Sequence, residues 1–210
     1  MEVENDFILV RNLATPEEIN ELTNLSFGSD VRSTFREHWY QFYTYDKDII
    51  QKRDDILLNI YERLMEKFNS MYPDKVSTLN QINNLFKDIK NGKNEIFGVA
   101  YYKSHEQNVC MSSHYDVWSD WNMVVSAGES TTLHFARSKF EINHGDVYLF
   151  NGNHKLHSVS ISPTLEQLLG KRNTFLSKNK KTQHLHRICL QLRRPLKKSK
   201  IFTKRTNKIH

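Results

Sequence analysis

The segment SSHYDVW places His114 and Asp116 two positions apart, and HKLHSVSIS supplies His157 further along. Two imidazoles and one carboxylate take one face of an octahedral ion and leave three adjacent positions open. That is the ligand set of a non-haem Fe(II) that must hold an oxo acid and then O2. Side chains at i and i+2 project to the same face of a strand, so the first pair fits a strand end. His157 must then arrive on a distant strand. The His-x-Asp pattern is a weak signal by itself. With 10 His and 11 Asp in 210 residues, about 0.5 accidental cases are expected, and a second stands at His144-Gly145-Asp146. This second case runs directly into Val147-Tyr148-Leu149-Phe150 with Gly at its centre, so it reads as a turn entering a strand.

Arg187 and Arg193 strengthen the first pair. They are separated by an even number of positions, so in a strand they share one face with Cys189 and Gln191, while Ile188, Leu190 and Leu192 share the other. The apolar face is predicted to pack under a covering layer and the polar face to line a cavity. A planar guanidinium fork there matches a carboxylate in bidentate geometry and suits the distal acid group of 2-oxoglutarate. The competing reading is an edge strand with solvated Arg side chains.

These residues resemble the AlkB-like Fe(II)/2-oxoglutarate dioxygenases, whose pattern is His-x-Asp, a distant His and then Arg-x5-Arg. His114, Asp116, His157, Arg187 and Arg193 match it, and VSAGESTTLHF with INHGDVYLFNGNHKLHSVSI is similar to the family's central strands. The resemblance covers roughly residues 5 to 195 and is strongest from 96 to 193. It implies an α+β fold, a double-stranded β-helix or jelly roll with helices packed outside. It also implies oxidation of a substrate carbon coupled to decarboxylation of 2-oxoglutarate, with Fe(II) as metal and O2 as second co-substrate. By resemblance Tyr102 hydrogen-bonds 2-oxoglutarate, with Tyr101 as the alternative. Three positions depart from the pattern: Ala100 and Cys189 stand where the family has Asn, and about twenty extra residues separate His157 from Arg187.

The elements that must position these groups follow from the rest of the chain. Its length and 38% hydrophobic content suit one domain over residues 1–195 with a basic tail at 196–210. FILV reads as a strand. Thr15 is the expected N-cap of the next helix, with Pro16 in its first position and Glu17 and Glu18 in its first turn. In REHWYQFYTYD, alternation assigns Trp39, Gln41, Tyr43 and Tyr45 to a buried face and Tyr40, Phe42 and Thr44 to a free one. Such aromatics usually form core, whereas the resemblance makes this region a lid over the substrate, with Tyr40 and Phe42 as contacts. From Asp48 to Tyr72, Ile49, Ile56, Leu57, Ile60, Leu64 and Phe68 mark an amphipathic helix. A shorter helical stretch follows at 76–95, and strand character returns at 96–102. Past the first pair, Trp118 and Trp121 could stack on a flat substrate and Asp120 accept from an exocyclic amine, or all three could simply close a hairpin. His105, His134 and His154 lack the spacing of the triad and read as solvated or structural.

Charge is segregated. All 24 acids lie at or before Glu166 with 16 Lys and Arg, giving 16 − 24 = −8, and the remainder holds 14 Lys and Arg and no acid. A basic insert at 171–181 and the tail favour a polyanion, so single-stranded nucleic acid or a flipped base is the expected partner. No apolar run approaches a membrane span, and the acidic start lacks a signal peptide, which predicts an intracellular protein of cytoplasm or nucleus, without a membrane partner and monomeric. Cys110 and Cys189 read as buried thiols. Two rival functions stay open: a protein side-chain hydroxylase with the same triad, and a catalytically silent jelly roll that binds RNA or DNA through its tail.

Overall fold

The computed structural model describes residues 1–4, 6–28, 32–36, 39–75, 98–102, 109–117, 119–161 and 185–195. Side chains at 32–41, 75, 98–110, 161, 194 and 195 are outside that description. The chain opens with β1 (Glu2–Glu4) and β2 (Phe7–Val10), then α1 (Pro16–Ser26), β3 (Arg32–Arg36), β4 (Trp39–Tyr43) and α2 (Lys47–Met71). A 3-10 turn (Pro73–Lys75) ends α2. There follow β5 (Gly98–Tyr102), β6 (Val109–His114), β7 (Ser119–Gly128), β8 (Thr131–Phe135) and β9 (Ser138–Ile142). The last strands are β10 (Val147–Asn151), β11 (His157–Ile161) and β12 (Leu185–Pro195).

Among the described residues the strands form an eight-stranded sheet, ordered β1-β2-β10-β7-β12-β5-β4-β3, and a four-stranded sheet, ordered β6-β11-β8-β9. Neighbours in both sheets run antiparallel. Strands β2, β7 and β10 of the larger sheet are buried on both faces. Towards the smaller sheet, Phe7, Leu9, Val124, Tyr148 and Phe150 meet Leu133, Phe135, Phe140 and Val159. On the opposite face Ile8, Met123, Val125, Leu149, Ile188 and Leu190 pack under Ile19 and Leu22 of α1 and Leu57, Ile60 and Leu64 of α2. Each such side chain, fully removed from water, contributes about 1.5–3 kcal/mol. This double covering explains why β2 and β10 read as unbroken apolar runs, since neither face meets solvent.

The helix ends follow the sequence signals. Thr15 and Glu18 form a reciprocal capping box on α1. The Asp46 carboxylate caps α2 by accepting from Asp48 and Ile49, so α2 starts one residue before the predicted Asp48. Its buried stripe also contains Arg53, paired with Asp54 inside the layer. The His144-Gly145-Asp146 segment is a turn: Gly145 has φ +84, and Asp146 accepts from the backbone of Asn12 and Asn143 and from Arg11. Its carboxylate is committed to the loop.

The face assignment for the aromatic hairpin is reversed. Phe42 is 2% exposed and Thr44 1%, whereas Tyr45 is 60% exposed, and Phe42 packs on Phe27 beyond α1 at 5.5 Å. Both faces of the segment are aromatic, so alternation cannot choose between them; the helical layer does. The expected helix at 76–95, His105, the insert at 171–181 and the tail at 196–210 lie outside the described residues. Among the described residues no helix is long and apolar enough to cross a membrane.

Candidate metal centre

The smaller sheet brings two of the proposed ligands together. His114 ends β6, His157 starts β11, and the two are direct antiparallel partners, with ring centroids 4.3 Å apart. Asp116 lies just past β6. Its backbone N–H donates to the Gly152 carbonyl at 2.9 Å, and its own carbonyl accepts from Asn153 Nδ2 at 2.8 Å. The link between β10 and β11 therefore holds the Asp116 loop against both strand ends.

Ligand atoms of His114, Asp116 and His157 all lie within 4.8 Å of one another, and the group can hold a metal ion. His114 Nε2 stands 3.8 Å from Asp116 Oδ1, and His157 Nε2 stands 3.7 Å from Asp116 Oδ2. Donors sharing an octahedral ion with bonds of about 2.1 Å sit about 3 Å apart, so a modest contraction suffices. The imidazoles present the right nitrogen. His114 Nδ1 lies 2.8 Å from the Ser112 carbonyl and His157 Nδ1 lies 3.1 Å from the Lys155 carbonyl. A carbonyl only accepts, so each Nδ1 carries the proton and each Nε2 offers its lone pair to the common point. Burial pulls the His157 pKa below the ordinary imidazole value, helped by His114 and Arg193 and opposed by Asp116 and the Lys155 carbonyl. His157 thus stays neutral and able to ligate. Phe150 packs its ring edgewise at 5.0 Å from His157. Exposure falls from His114 (32%) to Asp116 (8%) and His157 (5%), so the group opens to solvent on the His114 side.

Two residues that the sequence did not single out shape Asp116. A Cβ on Gly152 would fall 2.1 Å from Asp116 Oδ2 and 3.0 Å from Asn122 Nδ2, so only glycine fits. Asn122, on β7, donates to Asp116 Oδ2 and accepts from Ser119 Oγ. Tyr115 and Val117 beside Asp116, and Leu156 beside His157, were also overlooked. They are 52%, 66% and 44% exposed. Large apolar side chains directly beside all three proposed ligands were the available signal.

β12 runs between β7 and β5, which excludes the edge-strand reading of its arginines. Ile188, Leu190 and Leu192 face the helices and Cys189 faces the inter-sheet core. Arg187 is 0% exposed. Its guanidinium donates to the Glu129 carbonyl at 2.9 Å, the Ile142 carbonyl at 3.2 Å and Ser126 Oγ. Tyr148 lies beside Arg187 and Cys189, and burial raises its pKa, keeping it a neutral phenol. Arg193 sits at the metal end of the strand: it is opposite Asn122 in register, donates to Gln191 Oε1 at 2.6 Å and lowers the His157 pKa.

The proposed substrate contacts divide. Phe42 is enclosed in the helix-side core, and Trp121 packs against that same core; odd-numbered positions of β7 face the helices, which turns Trp121 away from the ligands. Asp120 Oδ1 accepts from the Trp121 N–H, and its carbonyl accepts from Gly152 N–H. Trp118 and the side chains of Tyr40, Tyr101 and Tyr102 are outside the described set. Along the backbone, β5 pairs Tyr101 with Arg187 and Tyr102 with Leu185. His134 meets Ser160 Oγ at 3.2 Å and takes no part in the cluster.

No protein-family model matches the sequence. A search of curated proteins also finds no match. Among solved structures the chain is similar to one described as the structure of OsALKBH1, with a TM-score of 0.56 and 14% sequence identity over 92% of this chain and 100% of that one. At that identity the likeness speaks for the fold, and the chain has an AlkB-like, jelly-roll-type α+β fold.

Proposed function

We propose that the chain is an Fe(II)- and 2-oxoglutarate-dependent oxygenase that hydroxylates or oxidatively demethylates a nucleic-acid base. The observation that carries this reading is the His114, Asp116 and His157 cluster, in which both imidazoles turn an unprotonated Nε2 towards one carboxylate at the open edge of an AlkB-like fold. Two neutral nitrogens and one carboxylate oxygen fit Fe(II) and leave three positions free. Bound there, the metal would supply oxidation of a substrate C–H bond coupled to decarboxylation of 2-oxoglutarate.

The chain's own residues hold, orient and exclude. The Lys155 and Ser112 carbonyls fix the imidazole tautomers, and Phe150 keeps water from the buried side of His157. Arg187 and Arg193 stand about 20 Å apart along β12 at their Cα atoms, by strand rise. Both lie on the same face of the strand, so a five-carbon diacid held by both requires their side chains to lean towards each other along it. In this arrangement Arg187 takes the distal carboxylate and Arg193 lies by the keto-acid end. Tyr102, or Tyr101, adds a hydrogen bond. Exposed Tyr115, Val117 and Leu156 present the surface that a substrate meets. The 14 basic residues after Glu166 favour a polyanion, and the target base must be unpaired or flipped to reach a recessed ion.

The test is to incubate the protein with Fe(II), ascorbate and 2-oxoglutarate, adding methylated single-stranded oligonucleotides or, separately, a peptide library, and to weigh the products. Loss of a methyl group or gain of an oxygen on the oligonucleotide supports the reading. Oxygen gained on peptides alone would transfer the activity to a protein hydroxylase.

A further inference from the structure

Asp116 has two carboxylate oxygens, and an ion that keeps three positions open can use only one of them. Oδ2 is already engaged. Asn122 Nδ2 donates to it at 2.5 Å, and Gly152 closes against the same oxygen so tightly that a single Cβ would collide. A carboxylate only accepts, so the Asn122 amide must turn its nitrogen to Asp116. Its oxygen then faces Ser119 Oγ, which donates at 2.8 Å. Asn122 and Ser119 are each 1% exposed, so water does not compete for these bonds. Asn122 also sits within a central strand, opposite Arg193 on β12 and Phe150 on β10, where a side chain is held more rigidly than on a loop. Oδ2 also lies 3.7 Å from His157 Nε2, but it carries the Asn122 bond and the contact with Gly152, whereas Oδ1, 3.8 Å from His114 Nε2, carries neither and is the oxygen better placed for an ion.

We infer that Asn122 is a positioning residue that confines Asp116 to coordination through one oxygen. An unrestrained carboxylate could turn both oxygens to the ion and fill one of the positions that a chelating oxo acid and O2 require. The neutral amide restrains Oδ2 without adding a charge beside the centre, and Ser119 in turn orients the amide. This role rests on the reading of the cluster as a non-haem iron site.

The experiment compares wild type, Asn122→Leu and Ser119→Ala. Melting of the metal-free proteins is recorded first. Mn(II) affinity, the visible spectrum of the Co(II) forms and 2-oxoglutarate affinity of the Mn(II) forms follow. Asn122→Leu is expected to bind Mn(II) about 10–100-fold more weakly, to alter the Co(II) spectrum as coordination changes, and to bind 2-oxoglutarate more weakly. Ser119→Ala should shift all three readings in the same direction by less. If Asn122→Leu does not fold, Ser119→Ala decides alone, because it removes only one hydroxyl. Variants that match wild type in Mn(II) affinity and Co(II) spectrum overturn the role of Asn122 while leaving the iron reading in place. Wild-type protein that binds neither ion overturns both.

Discussion

Gly152 shows how little room surrounds the Asp116 carboxylate. Replacement by Ala puts a methyl group where Asp116 Oδ2 and Asn122 Nδ2 already meet, and neither can retreat without breaking the other's bond. Gly152→Ala is therefore expected to weaken Mn(II) binding about 10–100-fold and to destabilise the protein by about 1–3 kcal/mol; calorimetric titration and thermal melting read the two effects. Full metal affinity in the variant would mean that the carboxylate shifts freely. A pH dependence also belongs to single residues. Burial holds His144 below the ordinary imidazole value, with Arg187 adding to the effect and Asp146 opposing it; burial does the same for His157. A depressed folded pKa means that the unfolded chain binds protons first. The stability these residues contribute is complete above about pH 6.5 and declines as pH falls below it. Metal-free protein should melt lower at about pH 5.5 than at about pH 7.5, and His144→Gln should lessen the difference. A slope unchanged by the substitution would remove His144 from the account. The His114, Asp116 and His157 cluster was legible only in combination, because His-x-Asp is a weak signal until a distant His and the paired arginines of one strand stand behind it. Asn122 and Gly152 were not, since both types serve many structural ends and only the folded loop brings them to Asp116.

β12 is the element in which sequence and structure agree most closely. Its alternation of Arg, Cys and Gln with Ile and Leu translates directly into a polar inner face and an apolar face under the helices. The capped start of α1 was equally legible, because Thr15, Pro16 and Glu18 each satisfy a specific need of a helix end. The hairpin of β4 was not, for Phe42 and Tyr43 are both apolar enough to be buried and the helix-side core, Phe27 included, selects Phe42. Arg187 provides the test at this scale. Arg187→Lys keeps the charge but loses the planar fork, and should weaken 2-oxoglutarate binding by about 1.5–3 kcal/mol, measured by titration of the Mn(II) form. Undiminished affinity would mean that another residue holds the distal carboxylate.

For the molecule as a whole, no periodicity or composition specified two facing sheets; the resemblance supplied that expectation, and the inter-sheet core and the likeness to OsALKBH1 bear it out. The physical reason is that closure of a jelly roll depends on pairings between distant strands, such as β6 with β11 and β7 with β12, which local sequence does not encode. Charge segregation is legible from sequence alone, and it leads to a prediction about binding. Affinity for a single-stranded oligonucleotide should fall with salt, with a log–log slope of about −0.7 per phosphate contacted. Removing residues 196–210 should flatten the slope, and a slope unaffected by the deletion would place the phosphate contacts elsewhere. The central claim is that His114, Asp116 and His157 hold an iron that turns over 2-oxoglutarate. Its most direct measurement is succinate released from 2-oxoglutarate by Fe(II)-loaded wild type and by His157→Ala, with a methylated single-stranded oligonucleotide present. The account predicts steady release by wild type and none above background by a variant that still folds; no release by wild type, or equal release by both, would contradict it.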